Sequence, residues 1–159
     1  MIYVGIDPGQ KGGIAVLRVD KDNGNVYQAE TYPFSQDKLK ELSYSLSREW
    51  EDNVLCFVEK VGAMPKQGVT SMFNFGVSFG YIQGVIEAFE IPYELVSPQK
   101  WKKHFGLDND KSKSIAKCKH LFPSVSLFPT ERCRKDSDGM AEALLIALYA
   151  KRVNTNAVK

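Results

Sequence analysis

Four acidic side chains carry the chemistry open to this chain: Asp7, Glu59, Asp138 and Glu142. Asp7 ends the apolar run IYVGI and is followed by Pro8 and Gly9, which break a strand. A carboxylate at the end of a buried strand is costly unless something meets its charge. Glu59 repeats the setting, closing the run VLCFV just before a glycine-containing loop. Asp138 and Glu142 are four residues apart, so a helix stacks them on one face, one turn apart. Like charges at that spacing repel unless a cation lies between them. Carboxylates without histidine or cysteine ligands suit a hard divalent cation, Mg²⁺ or in its place Mn²⁺. A pair of such ions can hydrolyse a phosphodiester, one activating water and the other stabilising the leaving oxygen. Each residue also has a plainer reading: Asp138 as a helix N-cap, Glu142 as a surface residue, Glu59 paired with a lysine, Asp7 capping a turn.

The charge distribution points to a polyanion. The whole chain is only +2, yet residues 100–119 hold seven lysines against two aspartates. Basic charge gathered in one segment fits a nucleic-acid partner, against the plainer reading of a solvated lysine face. Lys100, Lys102, Lys103, Lys111, Lys113 and Lys117 are the candidate phosphate contacts. Lys111 or Lys113, if close to the metals, would stabilise charge developing on the reacting phosphate.

Three scattered cysteines, Cys56, Cys118 and Cys133, include no CxxC pair, which argues for a reducing compartment and a cytoplasmic location. His104 and His120 have no metal-ligand spacing and read as surface residues. No apolar run approaches the roughly 18 residues needed to span a bilayer, and no basic region precedes an apolar stretch at the N-terminus, so no signal peptide is expected.

Positioning these residues needs a sheet with helical cover. Residues 2–7, 13–19 and 26–32 read as three strands of an antiparallel meander, separated by DPGQKGG and DKDNGN turns. Leu39, Leu42, Leu46 and Trp50 give a helix from about Ser35 to Trp50. Residues 54–60 read as a strand buried on both faces, as in a parallel sheet. A helix over about 71–89 carries Gly76, Gly80 and Gly84 as a smooth stripe, and PYELVS is a fifth strand. PQKWKKHFG is a short helix or turn ending at Gly106, Asp110 could cap a helix through about Phe122, and a last helix runs from about Asp138 to Arg152. The expected fold is α/β: a mixed five-stranded sheet, a three-strand antiparallel meander plus two parallel strands, flanked by helices. One domain spans residues 1–152, and 153–159 is expected to be a flexible tail.

The ordered set GIDPG at 5–9, FVEKV at 57–61 and DGMAEALLIA at 138–147 resembles RuvC-type Holliday junction resolvases of the RNase H-like superfamily. The connecting stretches VSPQKWKKHFG and DKSKSIAKCKHLFP resemble small phage members, and the likeness spans roughly residues 2–152. The resemblance implies a homodimer that grips four-way DNA junctions, and other branched DNA, and nicks two opposing strands with Mg²⁺, two ions per site. It implies Asp7, Glu59, Asp138 and Glu142 as catalytic metal ligands, Asp7 contacting both ions, with Asp136 a lesser candidate for the third. Two features depart from the cellular members. The last acidic pair is four apart and ends in Glu rather than three apart and ending in Asp. Gly62 stands where those members place a junction-wedging phenylalanine, a role left to Met64 or Phe73.

Other functions fit parts of the pattern. GIDPGQKGG could open an ATP-binding domain like that of actin or sugar kinases, but that fold needs two lobes and this chain has length for one. A non-catalytic junction-binding module would keep the basic segment and bind without cleaving. Phe73, Phe75, Phe79 and Tyr81 read as core and interface packing rather than base stackers, with the glycine stripe suited to helix contact across a dimer.

Overall fold

The computed structural model describes residues 1–49, 53–60, 62 and 68–157. The elements are β1 (Ile2–Asp7), β2 (Gly13–Val19), β3 (Val26–Pro33), α1 (Gln36–Ser47), β4 (Val54–Glu59), α2 (Val69–Ala88), β5 (Tyr93–Val96), α3 (Pro98–Phe105), α4 (Lys111–Leu121) and α5 (Asp138–Ala157). Five strands form one sheet in the order β3-β2-β1-β4-β5. The β1–β2 and β2–β3 pairs are antiparallel; β1–β4 and β4–β5 are parallel. This is the mixed sheet expected from the sequence.

Strand alternation divides the core into two layers. Tyr3 of β1, Ala15 and Leu17 of β2 and Phe57 of β4 enter the core shared with α3, α4 and α5. Ile2, Val4, Ile6, Ile14, Val16, Cys56 and Val58 enter the other, with Leu39 and Leu46 of α1 and Ile82 and Ile86 of α2. The central strands are thus apolar on both faces, which is why VLCFV reads as an unbroken run.

α5 lies across the middle of the sheet, and every side chain from Met140 to Leu148 is buried. Its alanines bring the helix backbone close to β1. An ideal Cβ on Gly5 would stand 2.1 Å from the Ala143 carbonyl oxygen, so only glycine fits there. The helix also runs to Ala157, past the Arg152 at which the sequence pattern was expected to end it. Asn154 Nδ2 donates to Tyr3 Oη at 2.9 Å, so this position, expected in a frayed tail, is docked on β1.

The caps follow the sequence. Ser35 Oγ accepts from the Lys38 N–H at 3.1 Å. Asp110 accepts from Ser112 N–H at 2.9 Å, and Gly106 takes the left-handed conformation (φ 67°) that ends α3. Trp50 and Met64 lie outside the described residues. Cys56 and Cys118 are buried, and Cys133 is half-buried; all three are free thiols. Among the described residues no helix is long and apolar enough to cross a membrane.

Candidate active site

Parallel pairing of β1 and β4 sets Ile6 beside Val58, so Asp7 and Glu59 leave the sheet as neighbours at the same edge. Alternation then sets their side. Tyr3 and Phe57 point into the α5 layer. Asp7 lies four residues on and Glu59 two, so both face that same layer. α5 starts there. Ser137 caps it, its Oγ accepting from the Met140 N–H at 3.2 Å and its carbonyl from the Ala141 N–H at 3.2 Å. The capping role suggested for Asp138 therefore falls to Ser137. Asp138 and Glu142 are free to project from the first turn and a half toward the strand-end carboxylates.

Burial makes this cluster electrostatically tense. Asp7 is pushed up to about 8 from an ordinary 3.8, first by burial and then by Glu59 and Glu142. Burial also raises Glu59, with Glu142 adding to it. The Trp101 indole N–H, 2.7 Å from Glu59 Oε2, pulls the other way. Glu142 is only 1% exposed and is met on three sides. Lys111 Nζ donates to it, Ser114 Oγ lies 3.2 Å away, and Lys102 Nζ lies 3.5 Å away. Lys111 also stands 3.6 Å from Asp138. Burial disfavours its charge, but the bond to Glu142 and the nearby Asp7 and Asp138 outweigh that, so its pKa lies above the ordinary lysine value.

The donor chemistry fits a hard divalent cation. All four groups are carboxylates, and a cation among them would relieve the repulsion that Glu59 and Glu142 exert on an ionised Asp7. With Lys111 among them, no three such side chains stand at ligand spacing among the described residues. In this state ammonium groups do the neutralising.

The structure sorts the lysines that the sequence grouped together. Lys102 and Lys111 turn into the acidic cluster. Lys113 pairs with Asp108. Lys100 and Lys103 are exposed on α3, and Lys117 is partly exposed on α4. Asp136, the lesser ligand candidate, is held by Lys119 at 2.6 Å, outside the cluster. Trp101 and Ser114 are site residues that the sequence reading passed over. Trp101 and Phe105 form the buried stripe of α3, and that amphipathic pattern was the available signal. Ser114 lies one turn after Lys111 on the same face of α4.

No protein-family model and no curated protein sequence matches the chain. Solved structures do. Thermus thermophilus RuvC superposes with a TM-score of 0.62 at 16% identity, covering 98% of this chain and 97% of that one. The Fowlpox virus resolvase in complex with substrate Holliday junction DNA gives 0.57 at 13% identity, covering 97% and 99%. The yeast mitochondrial Holliday junction resolvase gives 0.54 at 14% identity, covering 96% and 78%. Over nearly its whole length, the chain has the fold of these Holliday junction resolvases.

Proposed function

We propose that this chain is a metal-dependent, structure-selective DNA endonuclease that resolves four-way junctions, and other branched DNA, by paired nicks in recombination, repair or genome processing. One observation carries the reading. Two adjacent parallel strands and the first turns of α5 bring Asp7, Glu59, Asp138 and Glu142 to one sheet edge, in a fold shared with resolvases solved on junction DNA.

Asp7, Glu59, Asp138 and Glu142 would hold the divalent ions, which supply charge neutralisation and an activated water when bound. The remaining work falls to side chains already in place. Trp101 fixes the rotamer of Glu59 and favours its ionised form. Lys102 and Ser114 hold the buried Glu142. Lys111, half-exposed at the mouth of the cluster, can turn from Glu142 toward a phosphate and meet charge developing on its oxygens. Water attacks phosphorus as the bond to the leaving oxygen breaks, and that oxygen takes up a proton. The exposed Lys100 and Lys103 and the partly exposed Lys117 continue the positive surface along α3 and α4 for the flanking backbone.

The homodimer is read from α2. That helix has one charged side chain, Glu87, in 20 residues. Val69, Phe73 and Val77, spaced by four, are 85%, 70% and 57% exposed. An ideal Cβ on Gly76, Gly80 or Gly84 would touch nothing within 4 Å, so this face is open to another helix. A two-fold copy across α2 would present two acidic clusters to one junction, matching two symmetric nicks.

A second reading is favoured by one contact. Lys111 bonded to Glu142 already neutralises part of the cluster, as a module that binds branched DNA without cutting it would do. Incubating a labelled junction with Mg²⁺ separates the two: nicked products support the nuclease, and retention of intact junction supports the binding module.

A further inference from the structure

The distance between the two halves of the acidic cluster is set by bare backbone. Asp7 stands opposite Gly13 in the β1–β2 ladder. An ideal Cβ on Gly13 would lie 2.6 Å from the Gly139 carbonyl oxygen and 2.7 Å from Met140 Cα. From the other side, a Cβ on Gly139 would lie 2.0 Å from the Lys11 carbonyl oxygen and 2.6 Å from Gly12 Cα. Gly12 and Gly139 also form an isolated parallel β-bridge. Gly139 directly follows Asp138 and lies three residues before Glu142. A continuous path therefore runs from Asp7 through Gly13 and Gly139 to Asp138 without a side chain in it.

Conformation is not what demands glycine here. Gly13 and Gly139 are absent from the residues with positive φ, so alanine could adopt either backbone. Only the space is missing, and every atom in the way is backbone, which cannot swing aside as a flexible side chain would. Within a helix, alanine is otherwise favoured over glycine. The sign of a Gly139→Ala effect therefore separates the seam from ordinary helix propensity.

We propose that Gly139 and Gly13 are positioning residues: their backbone seam fixes the separation of Asp7 from the Asp138–Glu142 pair, and through it the affinity of the cluster for a divalent cation. This rests on reading the cluster as a metal site.

The test uses the full chain and Mn²⁺, with free ion measured by electron paramagnetic resonance. Gly139→Ala and Gly13→Ala are compared with Ile86→Ala, a cavity variant in the opposite core layer. Each glycine variant is expected to bind Mn²⁺ at least ~10-fold more weakly than wild type, whereas Ile86→Ala, though less stable, keeps wild-type affinity. Either glycine variant suffices if the other does not fold. In EDTA, the two glycine substitutions should lower the melting temperature by less together than the sum of their separate effects, because either Cβ opens the same seam. Wild-type Mn²⁺ affinity in the glycine variants, or additive losses in EDTA, overturns the seam. A wild-type protein that binds no Mn²⁺ overturns the metal reading instead, and the EDTA cycle then decides the seam alone.

Discussion

Lys111 Nζ, from the first residue of α4, hydrogen-bonds the carboxylate of Glu142, which α5 buries beneath the sheet edge. A buried carboxylate that loses its cation is left with an uncompensated charge. Here Lys102 at 3.5 Å and Ser114 at 3.2 Å remain, so the loss is partial. Lys111→Met is therefore expected to cost about 1–3 kcal/mol in EDTA, read by urea unfolding. Mg²⁺ should restore more stability to the variant than it adds to wild type. Unfolding midpoints that match with and without Mg²⁺ would contradict this role.

Asp7 makes the opposite prediction. Its folded pKa, about 8, lies above the ordinary 3.8, so the folded state holds this proton more tightly than the unfolded chain. The associated stability is present in full below about pH 4 and is lost as pH rises from there to about 8. Asp7→Asn removes that loss. In EDTA the variant should match wild type near pH 4 and exceed it increasingly as the pH rises, by several kcal/mol at pH 8. Melting both proteins across that range checks it, and a variant less stable than wild type at pH 8 would count against the assignment.

Trp101→Phe deletes the donor to Glu59 while keeping an aromatic ring in the core. The expected cost is about 1–2 kcal/mol. That bond lowers the Glu59 pKa, so its loss should move the acid limb of the cleavage–pH profile upward. A profile that keeps its acid limb while the rate falls would assign Trp101 to packing alone.

Phe73→Asp puts a charge on the open face of α2, where the side chain is 70% exposed and contributes little to its own fold. Sedimentation should show wild-type dimers and variant monomers with similar melting temperatures at low protein concentration. The monomer should nick a junction on one strand per event rather than two. Wild-type protein that sediments as a monomer at micromolar concentration would remove α2 as the interface.

Much of this was legible in the sequence because burial and punctuation left strong marks. IYVGID followed by Pro-Gly, and VLCFVE, end in carboxylates whose shared setting suggested one sheet edge, and β1 and β4 are indeed adjacent and parallel. The cap at Asp110 and the stop at Gly106 were equally plain. The roles of individual lysines were not. Lys102, Lys111 and Lys113 look alike in a basic run, and only the packing of α3 and α4 against α5 turns two inward and leaves the third with Asp108. Asp136 and Asp138 are two residues apart, and the start of α5 separates them: one meets Lys119, the other faces Lys111. The end of α5 was missed because Val153 alone continues the apolar pattern beyond Arg152, while Asn154 docks on Tyr3 through a polar contact that periodicity does not register.

Cutting of branched DNA by the four carboxylates is the proposed activity. The most direct measurement is cleavage of an end-labelled four-way junction beside a linear duplex of the same sequence, with Mg²⁺ or EDTA. Wild type, Asp7→Asn and Asp136→Asn should be run together. Paired nicks are expected on the junction alone, lost with EDTA and with Asp7→Asn but kept by Asp136→Asn. Tight junction binding by wild type with no nicks under Mg²⁺ or Mn²⁺, or cleavage that survives Asp7→Asn, would contradict it.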